Sequence, residues 1–301
     1  MGAGVFVVGA LHLDVVVDAP HLPQLDETVV GQGVAYRFGG KGGNQAVAAA
    51  RFGADVAMAG RVGRGGFGDA ILRTLDEEGV DRRQVAISEG ASGMSVAIVN
   101  AEGSYGAVIV SGVNRDIRGE EIEIPKGTRV LLLQNEIPAA VNLAVAERAR
   151  GKTRVVLNAA PVRPVEAHLL GQVDVLVVNR VEAAGMTGID PASGDAAAAV
   201  AALQAMGPSS VLVTLGAGGL VGATQKGGLF RKPAHDVGVV STHGAGDTFV
   251  GALAAELVQG RPLDAATDFA QAAAALFVST AVGARPQITR DAVLTFQAER
   301  P

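Results

Sequence analysis

The nonapeptide Ser241-Thr-His-Gly-Ala-Gly-Asp-Thr-Phe249 combines an anion trap with a carboxylate. Gly244, Ala245 and Gly246 are small enough to let a ligand approach the backbone, and the apolar residues 250–258 that follow read as a helix. A helix starting here points free N–H groups and its positive dipole end outward, which is how phosphate is bound. Asp247 falls in the first turn, within reach of whatever lies on those N–H groups, so a phosphate and a general base would meet there. The same residues also fit a glycine-rich turn in which Asp247 merely caps the helix, and the motif alone does not separate the two readings.

A second segment, Phe38-Gly-Gly-Lys-Gly-Gly-Asn-Gln, surrounds Lys41 with glycines and places Asn44 on the first turn of a helix. Close backbone approach plus lysine and asparagine donors suits a polyhydroxylated or anionic ligand, with a solvated lysine on a strand-to-helix turn as the plainer reading. It is not a P-loop, since G-x-x-x-x-G-K-[ST] is absent. Gly63-Arg-Gly-Gly-Phe-Gly68 matches the dinucleotide fingerprint G-x-G-x-x-G between a strand-like and a helix-like run, although Glu89 meets the expected downstream acid only loosely. The plainer reading there is an ordinary turn capped near Asp69.

Polar residues recur just past strand-like runs, where open α/β sheets bind ligands. His12 and Asp14 follow the first run, and Glu136, Asn158, and Asn179 with Glu182 follow later ones. Asn179 and Glu182 have capping-box spacing. His21, His168 and His235 lack catalytic spacing, and no H-E-x-x-H or similar ligand cluster argues for a tightly held transition metal.

The elements that must carry these residues follow from the apolar pattern. Strand-like runs at 5–8, 56–59, 130–133, 155–157, 175–178 and 211–215 alternate with helix-like stretches at 44–52, 67–79, 139–150 and 180–186. That rhythm predicts a doubly wound parallel sheet with helices on both faces. Residues 27–38 and 94–110 are strand-like without intervening helices and predict a small, half-exposed second sheet acting as a lid. Residues 2–17 lack a basic leading segment and are interrupted by His12 and Asp14, so they read as a buried strand, not a signal peptide; Phe6 spoils a myristoylation motif at Gly2. With 301 residues, 49% of them hydrophobic, and a net charge of -5, the chain can bury a large core and offers no basic surface for nucleic acid or acidic membranes. It has no cysteine, which removes disulfides, thiolate metal sites and thiol nucleophiles.

The ordered series of motifs resembles the ribokinase family of sugar and nucleoside kinases, the PfkB group, over nearly the whole chain. The likeness is carried by residues 39–53, Gln134-Asn-Glu-Ile-Pro138, Leu157-Asn-Ala-Ala-Pro161, Asn179-Arg-Val-Glu182, Val213-Thr-Leu-Gly-Ala-Gly-Gly219 and Thr242-His-Gly-Ala-Gly-Asp-Thr-Phe249. The resemblance implies one α/β domain over 1–301, with a β-sheet lid from insertions near 11–38 and 94–112. It implies ATP-dependent phosphorylation of a primary hydroxyl of ribose or a related pentose, with Asp247 as base and Gly244, Ala245 and Gly246 as the anion hole. Asp14, His12, Gly40, Lys41, Asn44 and Glu136 would then hold the sugar. Asn179, Thr214, Gly216, Gly219 and Gln271 would line the ATP site, and Glu182 would reach Mg²⁺ through water. The implied partners are sugar and ATP, without nucleic acid or membrane, in a cytoplasmic homodimer built through the lid.

The chain also departs from that pattern. His12 stands where ribokinases carry asparagine, and Ser241 where they carry an aspartate that helps bind K⁺, so a K⁺ site would be weakened. Gln271 replaces a histidine near adenine, and Gly65 an acidic residue. A nucleoside or pseudouridine kinase is the alternative within the family. Outside it, a nicotinamide-dependent oxidoreductase would use Gly63–Gly68 and leave Asp247 without a role.

Overall fold

The structure, a computed structural model, describes residues 4–100, 105–226 and 228–300. Residues 2 and 3 of the N-terminal run and 101–104 of the second lid segment lie outside them. The strands are β1 (Val5–Val8), β2 (His12–Asp18), β3 (Gly33–Gly39), β4 (Val56–Gly63), β5 (Asp81–Ser88), β6 (Met94–Val99), β7 (Tyr105–Val110), β8 (Val130–Gln134), β9 (Arg154–Asn158), β10 (Val175–Asn179), β11 (Ser210–Thr214), β12 (Leu220–Ala223) and β13 (Leu229–Lys232). The helices are α1 (Lys41–Arg51), α2 (Gly66–Glu77), α3 (Ala139–Ala149), α4 (Ala167–Leu170), α5 (Arg180–Thr187), α6 (Ala196–Ala205), α7 (Ala245–Val258), α8 (Leu263–Ser279) and α9 (Arg290–Ala298).

The main sheet has the order β13-β12-β11-β10-β9-β8-β1-β4-β5, parallel from β11 to β5 and closed at one edge by the antiparallel hairpin β12–β13. Runs such as Val5-Phe-Val-Val8 are apolar at successive positions because helices cover both faces. Val5 and Val7 pack among residues of α1, α2, α7, α8 and α9, while Phe6 and Val8 pack among those of α3, α4, α5 and α6. From β1 the chain winds outward through β4 and β5, then returns through β8 to β11 on the other side of β1. The strand order therefore reverses between β1 and β8, and the crevice past their carboxyl ends is where such sheets bind ligands.

A second sheet, β3-β2-β6-β7, stands apart from the first. Two expectations are corrected here. Residues 5–17 are not one buried strand: Val5–Val8 joins the main sheet, and His12–Asp18 pairs with β3 and β6 in the small one. Leu11, Leu13 and Val15 alternate with His12 and Asp14, which suits a sheet with two unlike faces, whereas the continuous apolar run ends at Val8. Nor does the strand expected over 27–38 begin at 27; it begins at Gly33, and the Gln32 N–H closes the pairing on the Asp18 carbonyl at 2.7 Å. Thr28-Val-Val30 has the composition of a strand, but β2 ends at Asp18 and offers it no partner.

Helices α1 and α7 lie against each other on one face of the main sheet, and both start at the crevice. Their separation is set at Gly251, where a Cβ would stand 2.5 Å from the Ala48 Cβ and 2.7 Å from the Gln45 carbonyl oxygen. Gly251→Val should therefore cost about 1–3 kcal/mol through overpacking, read as a lower urea midpoint at unchanged slope. The gain in helix propensity over glycine, under about 1 kcal/mol, is too small to reverse the sign. An unchanged midpoint would refute the close contact.

Candidate active site

Asp247 is buried, with 8% of its surface exposed, in the first turn of α7. The helix is capped by Gly244, in the left-handed region at φ 85°, and no side chain caps it. The carboxylate is thus not the helix cap. It accepts hydrogen bonds from Asn44 Nδ2 at 3.2 Å and Gln45 Nε2 at 2.9 Å, both on the first turn of α1. Gln45 donates also to Asn158 Oδ1 at 3.0 Å and accepts from Gln134 Nε2 at 2.8 Å, so β8 and β9 hold the amide that holds the base. Helix geometry leaves the Gly246 and Asp247 N–H groups without intrahelical acceptors. The Ala245 N–H, expected in the same cradle, is taken by the Thr242 carbonyl at 3.1 Å.

The glycine-rich turn before α1 places Gly40 at the helix cap, and the Lys41 N–H donates to Glu136 Oε2 at 2.7 Å. Burial opposes the Lys41 charge, but Asp247, Glu136 and Glu182 outweigh it and hold its pKa above the ordinary lysine value. A freely solvated lysine is therefore excluded. Burial pushes the Glu136 carboxyl up to about 7, against the Lys41 N–H and charge and with help from Asp247 and Asp14. Asp14 accepts from the Ser95 N–H at 3.1 Å, and its carboxylate lies over Gly39, whose Cβ would come within 2.3 Å of it. His12 is 4% exposed; burial lowers its pKa despite Asp14, and its Nε2 has no hydrogen-bond partner among the described residues.

Farther along the strand ends, Asn179 and Glu182 form the full capping box of α5. Glu182 is buried, which raises its pKa, and its two oxygens accept from the Asn179 N–H at 2.7 Å and Nδ2 at 2.9 Å. Thr214 ends β11 directly opposite Asn179, and the turn Gly216–Gly219 follows. Gln271, on α8, has its amide on the Pro233 carbonyl at 3.3 Å. No hydrogen bond joins these residues to the Asp247 group among the described residues; Lys41 couples the two halves through charge. The Gly63–Gly68 turn folds onto residues 90–92, with the Gly63 N–H on Ser92 Oγ at 2.9 Å, and Phe67 meets Tyr36 of β3 edge-on at 6.0 Å. Its helix is capped by Gly65 and not by Asp69. The described residues contain no cluster of three or more His, Cys, Asp or Glu able to hold a metal, and no helix long and apolar enough to cross a membrane.

Three residues of this region were not anticipated. Gln45 and Gln134 lie inside motifs already quoted but were given no role there; Gln45 follows Asn44, and Gln134 stands two residues before Glu136. Arg285 carried no signal. Its guanidinium is buried behind the helix start and donates to the carbonyls of Ser241 at 2.7 Å, His243 at 3.1 Å and Thr280 at 3.2 Å.

A helix start that offers N–H groups beside a buried carboxylate, at the order reversal of a parallel sheet, is the equipment of a phosphoryl-transfer enzyme. Known proteins agree. The profile of the pfkB family carbohydrate kinases matches residues 3–289, and the chain belongs to that family. It is 34% identical over 299 residues to ribokinase of Haemophilus influenzae, covering 96% of this chain and 97% of that one. It is 31% identical over 268 residues to deoxyribokinase of Salmonella typhi, covering 86% and 87%. Among solved structures, Arabidopsis thaliana ribokinase complexed with ribose and ATP superposes with a TM-score of 0.91 at 30% identity, over 98% and 99% of the two chains. The protein is an ATP-dependent carbohydrate kinase with the ribokinase-like fold.

Because the Glu136 pKa is raised from 4.5 to about 7, the folded protein keeps a proton there that the unfolded chain releases. Its contribution to stability is complete below about 4.5 and is lost as pH rises through about 7. If Glu136 holds a sugar hydroxyl, as the family resemblance implies, sugar binding runs the opposite way, since only the ionised carboxylate accepts hydrogen bonds at both oxygens. KM for the sugar is expected to fall as pH rises through about 7, and Glu136→Gln to flatten that profile. A variant that keeps the wild-type profile would assign the titration to another group.

Proposed function

We propose that this kinase transfers the γ-phosphoryl of ATP to a primary hydroxyl of ribose or a closely related pentose, with Asp247 as the general base. The observation that carries the reading is the orientation of Asp247. It sits where a helix-capping acid would, yet its carboxylate turns to Asn44 and Gln45 beside the free N–H groups of α7. Two amide donors fix the carboxylate, whose oxygens keep further lone pairs to accept a proton. It takes the sugar hydroxyl's proton as that oxygen bonds to the γ-phosphorus and the bond to the β-phosphate oxygen breaks, releasing ADP. The Gly246 and Asp247 N–H groups and the α7 dipole receive the charge that builds on the transferred group. Lys41 neutralises the carboxylates around it, so that sugar and nucleotide can approach.

Glu182 has lone pairs to spare beyond its two bonds to Asn179 and would hold Mg²⁺ through water, as fits an ion that keeps most of its waters and enters with nucleotide phosphates. When bound, that ion neutralises charge on the phosphates. Thr214, Gly216, Gly219 and Gln271 line the nucleotide's side of the strand ends. On the sugar side, Asp14, Glu136, Lys41, Asn44 and Gly40 present the acceptors and donors that vicinal hydroxyls need. His12 adds a neutral imidazole whose buried Nε2 lacks a partner, and a sugar hydroxyl supplies one. The small sheet, carrying His12 and Asp14, serves as the lid that keeps water from ATP. Pentose as the substrate is supported by relatives named for ribose and deoxyribose. The cytoplasm, where ATP is supplied, is the compartment this chemistry needs.

Asp247→Asn is expected to lower kcat by about 10²–10⁴-fold while ATP still binds, measured by coupled ADP release over ribose, deoxyribose, other pentoses, hexoses and nucleosides. Near-normal turnover would remove Asp247 from the chemistry, and preference for a nucleoside would move the substrate to the other branch of the family. One face of the small sheet exposes Val34 at 58% and Val108 at 66%, and we assign it the homodimer contact. Val108→Lys should then shift the mass seen by light scattering from dimer to monomer; a wild-type monomer would refute the assignment.

A further inference from the structure

The anion-hole loop is tied to the last turn of α8 by the Val240 N–H on the Val278 carbonyl at 2.8 Å, beside the segment that follows that helix. Three carbonyl oxygens from the two segments, those of Ser241, His243 and Thr280, converge on one point behind the start of α7. Such a cluster is a cation cage. The family resemblance would put K⁺ here, but the cage does not fit that ion. The three oxygens already accept from Arg285, the Ser241 side chain is a neutral hydroxyl, and its Oγ faces the His243 N–H at 3.4 Å. A second cation would have to displace the guanidinium or share its position against repulsion.

Arg285 is unusual for a buried arginine. It is 6% exposed, yet among the described residues it forms no ion pair with a carboxylate. Its guanidinium stacks on Phe277 at 4.3 Å, and the same ring packs under Gly244, where a Cβ would come within 3.2 Å. Buried charges are normally compensated by an opposite charge. Here the nearest place for one is the N-terminus of α7, where the transferred phosphoryl would lie. Arg37 of the lid adds a second positive charge close enough to act on Arg285.

We propose that Arg285 is the resident cation of this kinase, its guanidinium filling the cage formed by the Ser241, His243 and Thr280 carbonyls and fixing the anion-hole loop, so that turnover needs no K⁺. Arg285 acts through that loop and is a positioning residue. Unlike a bound ion it is covalently held and always charged, with planar donors that match several carbonyls at once. This inference rests on the kinase reading, because K⁺ independence is a property of turnover.

The test begins with wild-type enzyme assayed by ADP release in tetramethylammonium chloride and then in KCl at equal ionic strength. Rates within about twofold are expected, and activation by about tenfold or more would overturn the proposal. Arg285→Ala is expected to lose at least about tenfold in kcat with sugar KM little changed, and millimolar guanidinium should restore much of that loss. The same guanidinium should raise the thermal midpoint of the variant and leave that of the wild type unmoved, a readout that needs no turnover. A variant that keeps the wild-type midpoint but responds to guanidinium in neither measurement would overturn the assignment. If Arg285→Ala does not fold, Arg285→Lys keeps a cation in the cage and should stay K⁺-insensitive, and K⁺ activation there would count against the idea. Absence of phosphorylation of any sugar by wild-type enzyme would instead sink the kinase reading, while the guanidinium effect on the midpoint would still decide the cage.

Discussion

The hydrogen bond from Gln45 to Asp247 is the interaction on which the remainder of the site depends. It joins two helix starts separated by about two hundred residues of chain and fixes a carboxylate that is 8% exposed. A buried carboxylate without donors would cost several kcal/mol, and the amides of Asn44 and Gln45 supply them to Asp247. Gln45 is itself fully buried and satisfied from the sheet, through Gln134 on β8 and Asn158 on β9. The reversal of strand order brings those two strands to α1, and the side-chain-free surface of Gly251 lets α7 approach. Sheet topology and one missing Cβ therefore set the position of the base.

Charge is the second constraint. Asp14, Glu136, Glu182 and Asp247 influence one another within one crevice, and ATP brings further negative charge to it. Lys41 answers three of these acids from the middle, on a glycine turn that leaves room for no bulkier neighbour. Glu136 shows the limit of that answer: burial and the other carboxylates still push its pKa up to about 7. The other half of the balance lies at the start of α7, in the helix dipole and in Arg285, which among the described residues has no acid partner. The acids thus share one cation in the middle of the crevice, and the positive end of the α7 dipole opens onto the same place.

Much of this was legible in the residues. Continuous Val/Leu runs mark the central strands because helices cover both faces, and the glycine motifs mark the two helix starts because only small residues admit a ligand to the backbone. What escaped notice did so for physical reasons. Asp81-Arg-Arg-Gln opens the edge strand β5, and its charges conceal a strand that is half in solvent. The break between β1 and β2 is a change from continuous to alternating apolar positions within thirteen residues, too short for either period to stand out. Whether Asp247 capped its helix or faced the crevice depended on two amide donors distant in sequence, which no local pattern contains. Arg285 is the extreme case, since its partners are backbone carbonyls, and backbone carbonyls leave no trace in sequence.

The small sheet binds recognition and exposure together through the two-residue period of a strand. In β2, His12 and Asp14 point to one face, opposite Gly39 and Arg37 of β3, while Val15 and Val17 point to the other, opposite Tyr36 and Val34. The same outer face continues through Val96 and Val108 on β6 and β7. Because the period is two, a slip of one residue would move Asp14 to the opposite face and put a valine in its place. The apolar outer face and the polar inner face therefore cannot vary independently. A residue that stabilises the register from one face also sets where Asp14 lies on the other, and Gly93 beside His12 and Gly39 beside the Asp14 carboxylate leave those side chains the room they need. The placement of His12 is consequently a property of the whole four-stranded sheet, decided by its register as much as by the ring itself.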